Sequence, residues 1–400
     1  MESLLIRTKS YFDGDAYHPE NGGPYLIAVR EGRIDFLALD SADAPVTATA
    51  EFVMPGLVDA HVHIFLDGGE LDLEKRNAYL KAGHDEMMEV ARHNVARTPC
   101  SGVTLARDAG DRHGINHGIR EELRKDPAAV MSLRSAGMGV KRAKRYGSFI
   151  ARDVGPIEEI PGVIQELAAT GDDVKVILTG IIDFEAGAVK GAPQFNTEEL
   201  QCIVGEARRM GRKTLAHCSG EEGLKVAVAA GVGSIEHGFF MTRELLPRMA
   251  DKGIAWVPTF SPVHFQWARP EVAGWSEATI GNLRRILDSH LEHVALAYKV
   301  GAEIVAGSDA GSPGVKHGEA LIDELFHFLA AGLPMEEVLR SATSRPRRLW
   351  NMPSTNIEKG SRAELVLFDS SPFADPHSLR RASMVISSRS CFRLGSSCTS

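Results

Sequence analysis

From residue 56 to about residue 350, short apolar runs alternate with amphipathic stretches of helical period, the pattern of βα units built around a parallel sheet. Eight runs read as strands: 56–64, 102–108, 129–136, 173–179, 213–218, 233–237, 254–260 and 303–309. Helical periodicity follows most of them. It predicts helices over 197–211, with Thr197 as the cap and Glu198 and Glu199 in the first turn, and over 276–300, 319–331 and 335–350. Eight such units in about 290 residues predict an α/β fold of the (β/α)8 TIM-like barrel type, whose usual size is about 250 residues. An open doubly wound sheet is the alternative.

The chain ends follow a different pattern. Residues 3–8 and 26–39 read as strands, the second broken by a turn at Glu31-Gly32, and a further strand is expected within 360–369. The expected organisation is a small β-sandwich domain from both ends, 1–53 and 354–400, flanking a barrel domain over 54–353. The Ser-rich tail from Ser387 onward is poorly patterned and is expected to be loosely held.

Composition narrows the function class. The 400 residues are 44% hydrophobic and 24% charged, as for a soluble globular protein, and a net charge of -8 without a basic block argues against nucleic-acid binding. No apolar run reaches the roughly 18 residues of a membrane span, and the start lacks a signal peptide's basic and apolar regions, so a cytoplasmic enzyme of small molecules is expected. A homo-oligomer is left open. Cys100, Cys202, Cys218, Cys391 and Cys398 are odd in number and scattered, which fits reduced thiols.

Candidate chemistry lies at the carboxyl ends of the strands, where barrel enzymes build their sites. The first strand ends in His61-Val62-His63, and residues two apart on a strand share a face. Lys175, His217, His237 and Asp309 stand at or near the ends of the fourth, fifth, sixth and eighth strands. Four imidazoles, a carboxylate and a lysine at one mouth form a ligand inventory for two metal ions. A lysine in such a place loses proton affinity through desolvation. Its neutral amine can then take up carbon dioxide as a carbamate, turning a repelling cation into an anionic ligand.

The motifs Pro55 to His63, Val174-Lys175-Val176, Ala216-His217-Cys218-Ser219-Gly220, Ser234 to Gly238 and Gly307 to Gly311 occur in this order and resemble the amidohydrolase superfamily. The resemblance spans roughly residues 50 to 350 and is strongest to the imidazolonepropionase-like branch, which includes prolidase-like dipeptidases and carboxypeptidases acting on basic C-terminal residues. It implies two divalent ions, with zinc expected: His61, His63 and Asp309 on one, His217 and His237 on the other, and N-carboxylated Lys175 bridging both. The tail departs from the family pattern, which ends in further sandwich strands.

The expected reaction is hydrolysis of an amide C–N bond in a dipeptide or N-acyl amino acid, by a hydroxide shared between the metals with Asp309 as proton shuttle. For substrate binding the segment 137–147 after the third strand supplies Arg145, Tyr146 and further cations suited to a carboxylate, and His264 follows the seventh strand. His113 and His117 are lesser candidates. A mononuclear deaminase, with Glu221 as its proton carrier, and a non-catalytic scaffold are the competing readings.

Overall fold

The computed structural model describes residues 3–21, 23–40 and 45–394. Its centre is a set of parallel strands. Leu57–Val62, Val103–Asp108 and Ser132–Ser135 pair side by side. A second ladder runs Ala151–Asp153, Gly139–Lys141, Asp173–Ile177, Lys213–Cys218, Ser234–His237 and Ala255–Val257, parallel throughout. The two short strands at its start were not anticipated, because three residues carry no readable period.

The eighth expected strand survives only as isolated parallel bridges, Trp256 to Ile304 and Val62 to Ala310. The reason is local chemistry. Ser308 directs its amide and its hydroxyl to the Asp59 side-chain carboxylate, at 2.9 and 2.5 Å, instead of to a backbone carbonyl of the strand Leu57–Val62. Gly307 lets the two segments come this close, since a Cβ there would stand 2.9 Å from the His61 nitrogen. On the far side of the ring the Asp172 amide donates to the Ser135 carbonyl at 2.8 Å and the Ser135 amide to Asp172 Oδ2 at 2.9 Å, linking the two ladders. The hydrogen-bonded ladder is thus interrupted rather than closed.

Helices fill the connections and bury their apolar faces against the strands. Thr197–Arg209 is opened by Asn196 and not by Thr197: Asn196 accepts the Glu199 amide while the Glu199 carboxylate accepts the Asn196 amide, a reciprocal capping box. Glu277–Lys299 starts behind Ser276 as expected. The helix expected over 335–350 is two, Met335–Ser341 and Ser344–Leu349, broken at Thr343, whose ψ of -92° is not helical.

Both chain ends contribute to one mixed sheet, in the order Cys391–Arg393, Ala382–Ile386, Leu365–Phe368, Ala48–Pro55, Leu4–Phe12, Tyr25–Arg30, Arg33–Leu39, with Tyr17–His18 beside Leu4–Phe12. The tail up to residue 394 is therefore not loose. Arg389 donates to the Leu123 carbonyl at 2.6 Å and Ser390 to that of Ala128 at 2.8 Å, so polar side chains without periodicity fasten it to the end of the helix Ile115–Lys125. Residues 395–400 lie outside the described residues. Cys202 and Cys218 are free, but Cys100 is disulfide-bonded, which corrects the expectation of reduced thiols throughout. Its turn, Thr98–Ser101, packs against Ala382–Ile386, a meeting of distant segments that spacing alone does not reveal. Among the described residues no helix is long and apolar enough to cross a membrane.

One buried carboxyl gives the fold a pH signature. Glu324, on the helix Glu319–Ala330, is fully buried; its Oε1 accepts the Ser261 amide and hydroxyl at 2.6 Å, and its Oε2 has no partner. Burial pushes its pKa up to about 8 from an ordinary 4.5. As pH rises between these values the unfolded chain releases a proton that the folded chain keeps, so this group's contribution to stability falls. Glu324→Gln should match the wild type most closely near pH 4.5 and gain on it toward pH 8, by on the order of 1–3 kcal/mol. Denaturant unfolding of both proteins across this range checks it; a gap independent of pH contradicts it.

Candidate metal centre

Desolvation sets the character of the site. His61 is buried completely at the end of Leu57–Val62, and His63 follows one residue past the strand. Both turn toward Asp309: His61 Nε2 and His63 Nε2 lie 3.6 and 3.7 Å from its Oδ1. These distances are too long for hydrogen bonds. They match the separation of two donors on one ion, since two bonds of about 2.1 Å at a tetrahedral angle span about 3.4 Å. The candidate ligand atoms of the three residues all fall within 4.8 Å of one another.

The second group stands beside the first. His217 lies opposite Ile177 in the parallel register, and His237 opposite Cys218, so adjacent strands deliver both rings to one level. Ring centroids are 4.6 Å apart for His217 and His237 and 5.0 Å for His61 and His237. Lys175 is buried on Asp173–Ile177. Among the described residues its Nζ, together with His61 Nε2 and His217 Nε2, finds no hydrogen-bond partner although each is sealed from solvent. Three orphaned polar atoms in one place are costly unless something binds them. The donor set of imidazoles and carboxylate is the kind a divalent ion takes.

Each imidazole is oriented through its other nitrogen. His61 Nδ1 meets Glu236 Oε2 at 2.6 Å, His63 Nδ1 meets the Gly110 carbonyl at 2.9 Å, and His237 Nδ1 meets Thr259 Oγ1 at 2.7 Å. His217 is held by the backbone of Gly180. Burial, reinforced by the neighbouring Lys175 charge, takes His63 and His217 down to about 3 and His61 well below the histidine range. Burial followed by the other rings does the same to His237. All four are neutral at physiological pH, the form that ligates metal. Burial also lowers the Lys175 ammonium, against the pull of Glu236 and Asp309, and raises the Asp309 carboxyl, against the pull of Lys175.

Backbone strain gathers here as well. His237, Thr259 and Asp309 are non-glycine residues with φ of 68°, 49° and 57°. Conformations of this kind cost of order 1–3 kcal/mol each and persist where the surroundings enforce them. Asp309 is fixed by its amide, which donates to the His61 carbonyl at 2.7 Å. Thr259 stands at the start of the helix Phe260–Ala268 but makes no side-chain cap there, because its hydroxyl is committed to His237.

Glu236 was not singled out by the sequence. Strand alternation would turn it away from the side occupied by His237, yet the positive φ of His237 breaks the alternation, and both are buried. Glu236 is held in turn by Arg107 at 2.9 Å and by the Ser234 hydroxyl. The only available signal was a carboxylate next to a candidate ligand.

His63, Lys175, His217, His237 and Asp309 open into a single cavity of about 680 Å3 with Tyr146 on its wall, its ring 5.3 Å from that of His217. Arg145 and His264 are not brought there. The Arg145 guanidinium donates to the Ala192 carbonyl, and the His264 ring packs against Trp267 and His327. A loop position after a strand fixes proximity to the mouth, not side-chain direction. His117 is bonded to Ser135, and Glu221 is paired with Lys225 on the surface, so the deaminase reading lacks its proton carrier.

A sequence profile of the Amidohydrolase family matches residues 52–391. The chain belongs to the amidohydrolase family. It is 26% identical to an uncharacterized protein of Mycobacterium tuberculosis over 89% of both chains. It is 31% identical to the ochratoxinase of Aspergillus niger over 46% of this chain and 38% of that one. The crystal structure of a Xaa-Pro dipeptidase superposes with a TM-score of 0.82 at 24% identity, covering 98% of this amidohydrolase and all of that chain, which shows a shared fold. The interrupted ring of parallel strands is therefore built on the family's scaffold.

The second bonds to the imidazoles carry a prediction. Glu236→Gln should lower divalent-ion affinity about 10–100-fold by loosening His61, read by chelator competition with far-UV circular dichroism as the control for folding. Unchanged affinity in a folded variant contradicts the role given to Glu236.

Proposed function

We propose that this protein is a hydrolase using two divalent metal ions to cleave an amide C–N bond in a small molecule. One observation carries the reading: among the described residues, buried donor atoms without partners on His217 and Lys175 line a common cavity with Asp309, and a third, His61 Nε2, lies 3.6 Å from the Asp309 carboxylate. In this reading residues 54–353 form the (β/α)8 barrel domain, its ladder interrupted at the eighth strand, and residues 1–53 and 354–400 a small sandwich domain. His61, His63 and Asp309 would hold one ion, His217 and His237 the other, and Lys175, as its carbamate, would supply an anionic oxygen ligand. Zinc suits such imidazole and carboxylate donors.

When bound, two such ions polarise a carbonyl and make water acidic enough to attack at neutral pH. The chain's own residues do the rest. The Lys175 amine, its proton affinity reduced by burial, adds to the carbon of carbon dioxide and sheds one proton, leaving an anionic N-carboxylate where a cation stood. Asp309 exchanges a proton closer to neutrality than an exposed carboxylate does, because burial raises it. It takes the proton of the attacking water and returns it to the departing nitrogen. Ser312, which donates to Asp309 Oδ2 at 3.2 Å, keeps the carboxyl turned so that Oδ1 faces the rings of His61 and His63.

Asp309→Asn should reduce kcat by about 10²–10⁴-fold, as expected for loss of a general acid-base group, with both ions retained by elemental analysis. Full turnover in the variant overturns the assignment. Release of a free amine without ammonia is expected from the wild type; ammonia alone supports deamination instead.

A further inference from the structure

The cavity walls say what kind of amide enters. One wall comes from the segment after the first strand and carries Leu66, Leu73 and Leu80; the facing wall, after the fourth strand, carries Ile181, Ile182 and Phe184. Six large hydrophobic side chains among the described residues are strongly exposed, and two of them, Leu73 at 58% and Ile181 at 45%, belong to this cavity. Apolar groups left in water around a deep site gain most from an apolar ligand, at about 25 cal/mol per Å² covered.

The expected carboxylate clamp is missing. Lys141 is paired with Asp153 at 2.5 Å, Arg142 with Glu199 at 2.5 Å, Arg145 is bound to the Ala192 carbonyl, and the exposed Lys144 does not line the cavity. Arg76 is the one arginine among the described residues lining the cavity, and it donates to the carbonyls of Asp67, Glu70 and Gly311 at 2.5, 3.0 and 2.7 Å. Lys75 lies at the exposed rim beside Glu70. Among the described residues, apart from Lys175, which belongs to the metal centre, no cation on the inner wall is free to pair with a substrate carboxylate. A cavity of about 680 Å3 is also roomy, within the upper part of the roughly 300–1,000 Å3 range of drug-sized sites.

We propose that the substrate is a bulky, uncharged amide whose acyl group is a large hydrophobe seated between the Leu73 and Ile181 walls, rather than a dipeptide or N-acyl amino acid with a free carboxylate beside the scissile bond. This rests on the hydrolase reading for its chemistry and on the cavity alone for its binding. Two measurements keep them apart. The first uses N-phenyl-1-naphthylamine, a neutral apolar fluorophore, with protein stripped of metal: saturable binding is expected, weakened at least about tenfold in both Leu73→Asp and Ile181→Asp, surface changes that leave near-UV circular dichroism unaltered. The second compares kcat/KM of the metal-loaded enzyme for acetyl-4-nitroanilide, decanoyl-4-nitroanilide and N-acetylalanine, with the decanoyl substrate expected to lead by at least about tenfold. Probe binding with no cleavage of any amide sustains the substrate class and removes the hydrolase reading. Preferred cleavage of N-acetylalanine, or binding of the probe unaffected by both variants, overturns the substrate class.

Discussion

Desolvation is the constraint on which the site depends. Four imidazoles, an amine and a carboxyl are taken out of water at the same end of a ring of parallel strands. Burial strips the imidazoles of charge, weakens the hold of Lys175 on its proton and strengthens that of Asp309. A polar cluster with this many unpartnered atoms would be a liability in an ordinary core. Each ring is anchored from behind, by Glu236, Gly110, Gly180 and Thr259, leaving its other nitrogen turned forward, the arrangement that a metal site requires.

The same economy extends outward. Arg107 holds Glu236, Glu236 holds His61, and the His61 carbonyl fixes the amide of Asp309, so residues far apart in sequence form one mechanical unit. The positive φ angles of His237, Thr259 and Asp309 show how strand ends are bent to aim side chains that regular strands would misdirect. Catalytic precision here comes from rigid strands, and variation comes from the loops. The apolar walls of the cavity belong to segments outside the strands that carry the histidines of its floor.

Much of this was legible in the chain. Short apolar runs followed by helical periodicity located the strands, and ionisable residues at their ends marked His61, His63, Lys175, His217, His237 and Asp309 as a group; the structure brings five of them to one cavity floor and sets His61 behind it, beside His63 and Asp309. What escaped reading has physical causes. Glu236 was hidden by a break in strand alternation, Asn196 by the assumption that the next residue caps, and the tail's anchoring by its reliance on hydroxyls and one arginine. Arg145 and His264 were misjudged because loop side chains take their direction from neighbours such as the Ala192 carbonyl and the His327 ring, which periodicity does not encode.

Anomalous diffraction from crystals grown with zinc and bicarbonate addresses the central claim most directly. The account predicts two peaks about 3.5–4 Å apart, one bonded to His61, His63 and Asp309, the other to His217 and His237, with density for a carboxylated Lys175 reaching between them. A single peak, or two ions beside an unmodified lysine turned away from both, contradicts it.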